Sequence, residues 1–297
     1  MALPRIALTV GDPAGIGPEI VQRAMIDSRL LEVCEPVRFG PSLEEARARY
    51  PLGVVDAGAA RAAYDAIVGA VEAARTGRVE AMATAPINKE AFAVASLRWA
   101  GHTELLAELC GVRKVAMMFH SDQLRVVLAT VHVPLAEVTR VFTRSRLRDV
   151  LDLTHEWLPR LGVQRPRIGV AGVNPHAGEH GLLGHEDDEV VVPVVEACRA
   201  DGMAVWGPLP ADTLFVRALR GEFDVVVAAY HDQGLVPVKL LAFGDSVNVT
   251  LGLPIIRTSV DHGTAFDIAG KGLADHSSLV AAARLAARLA RPQPVGA

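Results

Sequence analysis

Short apolar runs alternate with longer segments of helical periodicity along most of the chain. The apolar runs are rich in Val, Ile and Ala and end near Gly, Pro or Asn, which is typical of buried strands. Predicted strands lie at residues 5–10, 37–39, 53–55, 79–83, 115–119, 124–130, 167–173 and 224–229. Predicted helices lie at 19–26, 59–75, 144–161, 186–199 and 277–290, and a further helix opens at 101–104, with Thr103 as its cap.

This order of strands and helices predicts an α/β protein with a mostly parallel sheet and helices on both faces. The strands at 115–119 and 124–130 are the exception, because the HSDQ segment between them is short enough for an antiparallel hairpin. The sequence contains no internal repeat and no low-complexity linker. Any division into domains must therefore come from chain crossings.

The composition indicates a globular protein. The chain has 297 residues, of which 51% are hydrophobic and 22% charged, so it can form one large or two ordinary domains. A net charge of -4 gives no electrostatic footprint for nucleic acid. An anionic ligand would therefore need a local basic cluster.

The cysteines and the apolar runs indicate the compartment. Cys34, Cys110 and Cys198 are scattered and form no CxxC pair, which argues against a disulfide framework and a cysteine zinc site. No apolar run approaches the roughly 20 residues of a membrane span. Gly11 and Pro13 interrupt the first apolar run, which is therefore not a signal peptide. We expect a soluble, cytoplasmic protein with no membrane partner.

Polar side chains are concentrated among the glycines and short apolar runs of residues 230–272. Loops carried by buried strands often hold functional sites. We interpret this stretch as a metal site at one end, a phosphate site in the middle and a nucleotide site at the other end. The alternative is a series of ordinary loops with solvated charges.

Three histidines each close a predicted strand: His132, His176 and His231. Ligands of open α/β sheets collect at the carboxyl ends of the strands. Three imidazoles there can hold a divalent metal and leave a coordination position open for substrate. Each histidine alone could be structural, and His120, His180 and His185 are alternatives.

Basic and polar residues elsewhere form a candidate anion site. Arg257 offers a bidentate fork and Lys239 a point charge, which together suit a phosphate dianion. Because Arg257 lies in the apolar segment LPIIRTSV, its burial would require a partner. Lys239 alone could equally be solvated. His102, Thr103 and Asn248 complete this set.

Several motifs resemble a known enzyme family. GDPAGIGPEI resembles the N-terminal glycine loop of the isocitrate and isopropylmalate dehydrogenase superfamily, and DHGTAFDIAGKG resembles its adenine-side nucleotide loop. TAPINKE, GHTE, NPHAGE, GPLPADT, YHDQG and VNVTLGLPIIRTSVDHGTA resemble the 4-hydroxythreonine-4-phosphate dehydrogenase family of vitamin B6 synthesis. The resemblance covers nearly the whole chain.

This resemblance implies a two-domain α/β/α fold with a mostly parallel sheet and a cleft between the domains. Residues 1–110 and 245–297 would form the first domain, and residues 111–244 the second, with the metal ligands and dimer contacts. The family is homodimeric, and its active site is shared across the subunit interface. We expect neither nucleic acid nor membrane as a partner.

The resemblance also implies roles for individual residues. The metal, typically zinc with magnesium or cobalt as alternatives, would be held by His132, His176 and His231. The acidic residues near the reacting centre would be Asp212 and Asp232. The other matching positions are His102, Thr103, Lys239, Asn248 and Arg257 for substrate, and His262, Gly263, Thr264 and Asp267 for NAD or NADP.

The implied reaction is metal-dependent oxidation of 4-phosphooxy-L-threonine at C3, followed by decarboxylation to 3-amino-2-oxopropyl phosphate. One alternative is the same chemistry on D-threonate or D-erythronate 4-phosphate. A metal-dependent phosphohydrolase and a metal- or phosphate-sensing module are alternatives that need no nucleotide. The preference for NAD or NADP, the native metal and the proton acceptor stay open.

Overall fold

The computed structural model describes residues 2–242 and 244–291. Its secondary structure alternates between strands and helices for most of this length. The strands are β1 (Arg5–Thr9), β2 (Glu35–Phe39), β3 (Ala81–Thr84), β4 (Ala116–His120), β5 (Arg125–Leu128), β6 (Ile168–Ala171), β7 (Val205–Leu209), β8 (Val225–Ala228), β9 (Val247–Leu251) and β10 (Arg257–Ser259).

The helices range from single turns to about five turns. They are α1 (Gly17–Ala24), α2 (Ser28–Leu31), α3 (Leu43–Arg49), α4 (Ala57–Arg75), α5 (Lys89–Val94), α6 (His102–Cys110), α7 (Val138–Val141), α8 (Arg144–Trp157), α9 (Val192–Ala200), α10 (Ala211–Leu219), α11 (His231–Ala242) and α12 (Ser277–Ala290). No helix within the described ranges is long and apolar enough to cross a membrane.

The chain folds into two compact units. The first unit contains the described residues up to Arg113 and those from Val247 onwards. The second unit is the continuous segment Lys114–Ser246. Each unit carries its own group of hydrogen-bonded strands.

The strands of the first unit lie in the order β2-β1-β3-β10-β9. Neighbouring strands are parallel except β10 and β9, which are antiparallel. The register places Thr84 opposite both Thr9 and Ser259, and Ser259 opposite Asn248. Since directly opposed residues share a face, these four polar residues form a row across the strands.

Small side chains let helices approach this sheet closely. The buried positions of α12 are mostly Ala and Leu, and those of α4 are mostly Ala. Thr258 of β10 donates its hydroxyl to the carbonyl of Ala282 in α12, at 2.9 Å. Its neighbours Arg257 and Ser259 therefore point to the face of β10 that lies away from α12.

The strands of the second unit lie in the order β4-β5-β8-β6-β7. Strands β4 and β5 form an antiparallel hairpin, and the other pairs are parallel. The core of this unit contains Val126, Leu128, Val226 and Ala228 from the strands, with Leu235 from α11. The parallel strands β5, β8 and β6 therefore present their carboxyl ends at one edge.

The fold confirms the predicted mostly parallel α/β architecture and the hairpin at residues 116–128. The predicted strand at residues 53–55 was wrong. Gly53 has φ +74° and donates its N–H to the carbonyl of Ala14, so this segment is a turn packed on another loop. Thr103 is also no cap, because α6 begins after Gly101.

Candidate active site

The three predicted metal ligands follow three adjacent strands of the second unit. His132 lies in the loop after β5, His176 in the loop after β6, and His231 is the first residue of α11, after β8. Strand β8 is parallel to both β5 and β6 and lies between them. The three loops therefore leave the same edge of the sheet, which is the edge where α/β proteins bind ligands.

His132 and His231 are close together. Their ring centroids are 5.7 Å apart, with an interplanar angle of 46°. The Nδ1 atom of His231 lies 2.7 Å from Oδ1 of Asp232. A carboxylate on one ring nitrogen orients an imidazole and leaves the other nitrogen for a metal. His132 and His231 of one chain are therefore close enough to be two ligands of one metal ion.

His176 is exposed and belongs to a loop with an unusual backbone. His176, Ala177, Glu179 and His180 all have φ between 45° and 56°, and Gly178 has φ +79°. Left-handed conformations are costly for residues other than glycine and cluster at functional sites. The loop is therefore held in place by contacts elsewhere in the unit.

Asp187 holds this loop. Its carboxylate is fully buried and accepts hydrogen bonds from the N–H groups of Val173, at 2.8 Å, and Asn174, at 3.0 Å. In the described part of the chain, no group of three His, Cys, Asp or Glu side chains is arranged to hold a metal. The predicted site is shared between subunits, so the role of His176 stays a prediction.

The two acidic candidates lie on the surface of the second unit. Asp232 is 81% exposed and contacts His231. Asp212 is an exposed residue in the first turn of α10, where its Oδ1 accepts the N–H of Thr213 at 2.9 Å. Helix α10 follows β7, which is parallel to β6, so Asp212 also lies at the carboxyl edge. Lys239 is exposed on α11.

Arg257 is buried in the first unit, and its guanidinium pairs with hydroxyl groups and with no carboxylate among the described residues. It is 2% exposed, and its guanidinium donates to the hydroxyl oxygens of Thr84, at 2.7 Å, and Thr250, at 3.0 Å. Both of these side-chain hydrogen bonds therefore go to uncharged groups. Burial lowers its pKa to about 9, against an opposing effect of Glu104. An arginine in this state has the chemistry to bind an anion.

Two further substrate candidates of the first unit, His102 and Asn248, each contain a buried polar atom. The Nε2 atom of His102 and the Oδ1 atom of Asn248 are buried, and neither has a hydrogen-bond partner among the residues that the structure covers. Burial, with a contribution from Arg257, lowers the pKa of His102 well below its usual value. The imidazole is therefore neutral at physiological pH. Thr103 follows His102 in the first turn of α6.

The two glycine-containing motifs of the first unit pack on each other. The N–H of Ile16 donates to the carbonyl of Thr264 at 3.0 Å. A Cβ at Gly15 would lie 2.8 Å from that carbonyl, and one at Gly53 would lie 2.7 Å from the carbonyl of Phe266. Side chains at these glycines would therefore separate the loops.

The remaining nucleotide candidates lie on the exposed side of this loop pair. His262, Gly263 and Asp267 are exposed, and Nδ1 of His262 lies 3.0 Å from the carbonyl of Gly263. Thr264 is half-buried. The loop is thus fixed at Thr264 and accessible at the other three residues.

Three residues of these sites escaped the sequence analysis: Thr84, Thr250 and Asp187. In β9, Asn248 and Thr250 alternate with apolar residues, which is a signal for a shared polar face. Thr84 ends a strand whose other residues are apolar, so its sequence context gives no such signal. Asp187 was assigned to the acidic start of a helix at 186–199, where acidic residues suit the dipole. In the structure it is buried in the π-helical turn Asp187–Val191, before α9.

Comparison with known proteins identifies the family. Residues 21–286 match the family described as pyridoxal phosphate biosynthetic protein PdxA. The 4-hydroxythreonine-4-phosphate dehydrogenase of Beijerinckia indica is 45% identical, over 97% of this chain and 96% of that protein. The chain belongs to the PdxA family. It is accordingly a dehydrogenase, which confirms the prediction made from the sequence motifs.

Two further relatives show the range of this family. The D-threonate 4-phosphate dehydrogenase of Cupriavidus necator is 44% identical, over 97% of this chain and 98% of that protein. The crystal structure of 4-hydroxythreonine-4-phosphate dehydrogenase from Klebsiella pneumoniae aligns with a TM-score of 0.88 and 39% identity. That alignment covers 98% of this chain and 99% of the other.

Proposed function

We propose that this PdxA-family protein oxidises 4-phosphooxy-L-threonine at C3 with NAD or NADP, in pyridoxal 5'-phosphate synthesis. Loss of CO2 from the resulting β-keto acid gives 3-amino-2-oxopropyl phosphate. The observation that carries this proposal is the buried guanidinium of Arg257, which has no carboxylate partner among the described residues. A phosphorylated substrate supplies the missing negative charge.

Arg257 would bind the substrate phosphate. The neighbouring His102 and Asn248 have buried polar atoms without partners, as expected for groups that contact a ligand. Thr103 and Lys239 complete the proposed substrate contacts. Because the phosphate is remote from C3, these contacts would bind the substrate without touching the reacting carbon.

His132 and His231 would hold a divalent metal, zinc being the first candidate and magnesium or cobalt the alternatives. The separation of the two rings and the contact of His231 with Asp232 fit this role. The third ligand would be His176 of the partner subunit, so the protein would act as a homodimer. When bound, the metal would supply Lewis acidity at the substrate hydroxyl, and the nicotinamide would provide the acceptor for the hydride of C3.

A carboxylate of the chain would take the proton of the C3 hydroxyl, directly or through water. Asp212 and Asp232 are the two candidates. Because Asp232 contacts Nδ1 of His231, it would also hold that imidazole in position. His262, Gly263, Thr264 and Asp267 would bind the nucleotide. The free thiols of Cys34, Cys110 and Cys198 favour a cytoplasmic location.

Nicotinamide reduction provides the test. We expect 4-phosphooxy-L-threonine to reduce NAD or NADP, and we expect a chelator to abolish this turnover. Adding zinc, magnesium or cobalt back should restore the rate and show which metal works best. Full activity after complete metal removal would contradict the proposal.

Oxidation of D-threonate or D-erythronate 4-phosphate is the second candidate. It is favoured by the Cupriavidus necator relative, whose identity of 44% nearly equals the 45% of the Beijerinckia indica relative. The two substrates differ because the hydroxythreonine ammonium needs an acidic partner. Comparing kcat/KM for both phosphorylated acids distinguishes the two functions.

A further inference from the structure

Two threonines from different strands hold the buried guanidinium of Arg257. Thr84 lies on β3 and Thr250 on β9, and β10, which carries Arg257, lies between these strands. The distances from the guanidinium nitrogens to the two hydroxyl oxygens are 2.7 and 3.0 Å. A guanidinium can only donate, so both hydroxyls must accept. The side chain is therefore fixed from two sides.

The choice of hydroxyl groups has an electrostatic consequence. A buried arginine is normally paired with a carboxylate, which would neutralise most of its charge. Thr84 and Thr250 are uncharged, and the carboxylate that acts on Arg257 belongs to the exposed residue Glu104. The positive charge of Arg257 thus remains available to a ligand.

The guanidinium also retains unused donors. Thr84 and Thr250 take one N–H from each terminal nitrogen, and the buried Nε atom has no partner within the described residues. Five N–H groups in a planar fork suit bidentate binding of an oxyanion. The threonines therefore fix the fork without using all its donors.

We propose that Thr84 and Thr250 are positioning residues for substrate binding, which hold Arg257 in place and leave its charge for the substrate phosphate. This inference rests on the proposed role of Arg257. The hydroxyl groups act through the guanidinium and not on the reacting carbon. Their loss should therefore weaken binding and leave the chemical step nearly intact.

The experiment uses the full-length, metal-loaded enzyme. Thr84→Val and Thr250→Val keep the size of each side chain and remove the hydroxyl. Hydrogen bonds to charged groups contribute enough that each variant should raise KM for 4-phosphooxy-L-threonine about tenfold. The inhibition constant of inorganic phosphate should rise in parallel, and kcat should stay within about twofold. Thr84→Ser and Thr250→Ser restore the hydroxyl and should recover most of the affinity.

Thr258→Val is the matched control. Thr258 is also buried in β10, but its hydroxyl bonds to Ala282 on the opposite face. This variant should unfold at a lower denaturant concentration and keep the wild-type KM and phosphate inhibition constant. A merely structural role of Thr84 and Thr250 would instead make all three valine variants alike.

Arg257→Ala separates failure of this inference from failure of the proposed function. If Arg257→Ala weakens phosphate inhibition but both valine variants leave it unchanged, the positioning role is overturned and the anion site stands. If Arg257→Ala itself leaves phosphate inhibition unchanged, the proposed phosphate site is wrong, and the positioning role falls with it. Circular dichroism and unfolding midpoints confirm that each variant is folded.

Discussion

Asp12 is almost fully buried, yet its two carboxylate oxygens have different surroundings. It is 1% exposed, and Oδ1 accepts the N–H of Ala14 at 2.9 Å. Oδ2 is buried without a partner in the parts of the chain described above. Burial raises the pKa of Asp12 to about 6, and the nearby carboxylate of Asp56 adds to this effect. The folded protein therefore disfavours the ionised form.

Because the pKa of Asp12 is raised in the folded protein, its ionisation should lower the free energy of unfolding as the pH rises. In the unfolded chain this carboxyl ionises near its ordinary pKa, so between about pH 4 and 6 the folded state binds more protons than the unfolded state. Its stabilising effect is complete below that range and lost above it. For Asp12→Asn, the difference in unfolding free energy from the wild type should change by about 3 kcal/mol between pH 3 and 8.

Urea unfolding at several pH values measures this effect. Asp65→Asn is the control, because it makes the same substitution at an exposed position of α4. Parallel stability curves for the wild type and Asp12→Asn would show that Asp12 ionises normally in the folded state.

Arg257 shows how far a single position can be interpreted from sequence. Its apolar neighbours correctly predicted burial and the need for a partner. They could not identify the partners, because Thr84 and Thr250 come from separate strands and the register of the sheet brings them together. Pairing of this kind is set by tertiary structure and not by local spacing.

The start of α1 depends on glycine at position 17. A Cβ there would lie 1.7 Å from the carbonyl oxygen of Val10, which belongs to the backbone and cannot move aside. Gly69, in the middle of α4, differs because its Cβ would make an ordinary contact, 3.5 Å from the ring of Phe39. A side chain is therefore excluded by the backbone at Gly17 and accommodated at Gly69.

Alanine substitutions at Gly17 and Gly69 should change the free energy of unfolding in opposite directions. Gly17→Ala should lower the free energy of unfolding by about 3 kcal/mol, because the loop before α1 must shift. Gly69→Ala should raise it by about 0.5–1 kcal/mol, because alanine reduces the entropy of the unfolded chain and favours helix. Denaturant unfolding of both variants tests the pair. Equal effects would contradict the predicted clash at Val10.

The loop that carries His176 should depend on Asp187. In Asp187→Asn, one accepting oxygen is replaced by an NH2 group, which cannot accept the N–H of Val173 or Asn174. We expect a loss of about 2–3 kcal/mol in stability and faster hydrogen exchange at both amides. Asp188→Asn is the control, since its exposed side chain should contribute within about 0.5 kcal/mol. Unchanged hydrogen exchange at the amides of Val173 and Asn174 would show that the Asp187 carboxylate does not hold this loop.

Local sequence signals recovered some elements and missed others. The hairpin of β4 and β5 was predicted because its apolar runs are separated by one short polar segment. Helix α11 was missed because Gly234 and Pro237 interrupt its pattern. In the structure, the missing Cβ of Gly234 lets α11 pack against Leu128 and Val126. Close packing, which favours glycine here, is not visible in a local pattern.

Mixing inactive variants tests the proposed sharing of the metal site between subunits. His176→Ala and His231→Ala should each lose turnover. In a hybrid dimer, one site would combine His132 and His231 of one subunit with His176 of the partner subunit. An equal mixture after subunit exchange should therefore recover about a quarter of the wild-type activity.

The matched control mixes His132→Ala with His231→Ala. These two side chains lie side by side in the same chain, with ring centroids 5.7 Å apart, so every hybrid site would lack one of them. This mixture should stay inactive. Recovery in both mixtures, or in neither, would contradict the proposed arrangement of ligands.

The order of strands in the first unit also bears on its synthesis by the ribosome. Strand β3 pairs with β10, but the entire second unit lies between them in the sequence. Translation therefore completes the second unit first, while the nascent β3 still has an open edge. Such edges pair readily with other chains. The edge of β3 that pairs with β10 thus stays open to such pairing until Arg257–Ser259 emerge from the exit tunnel.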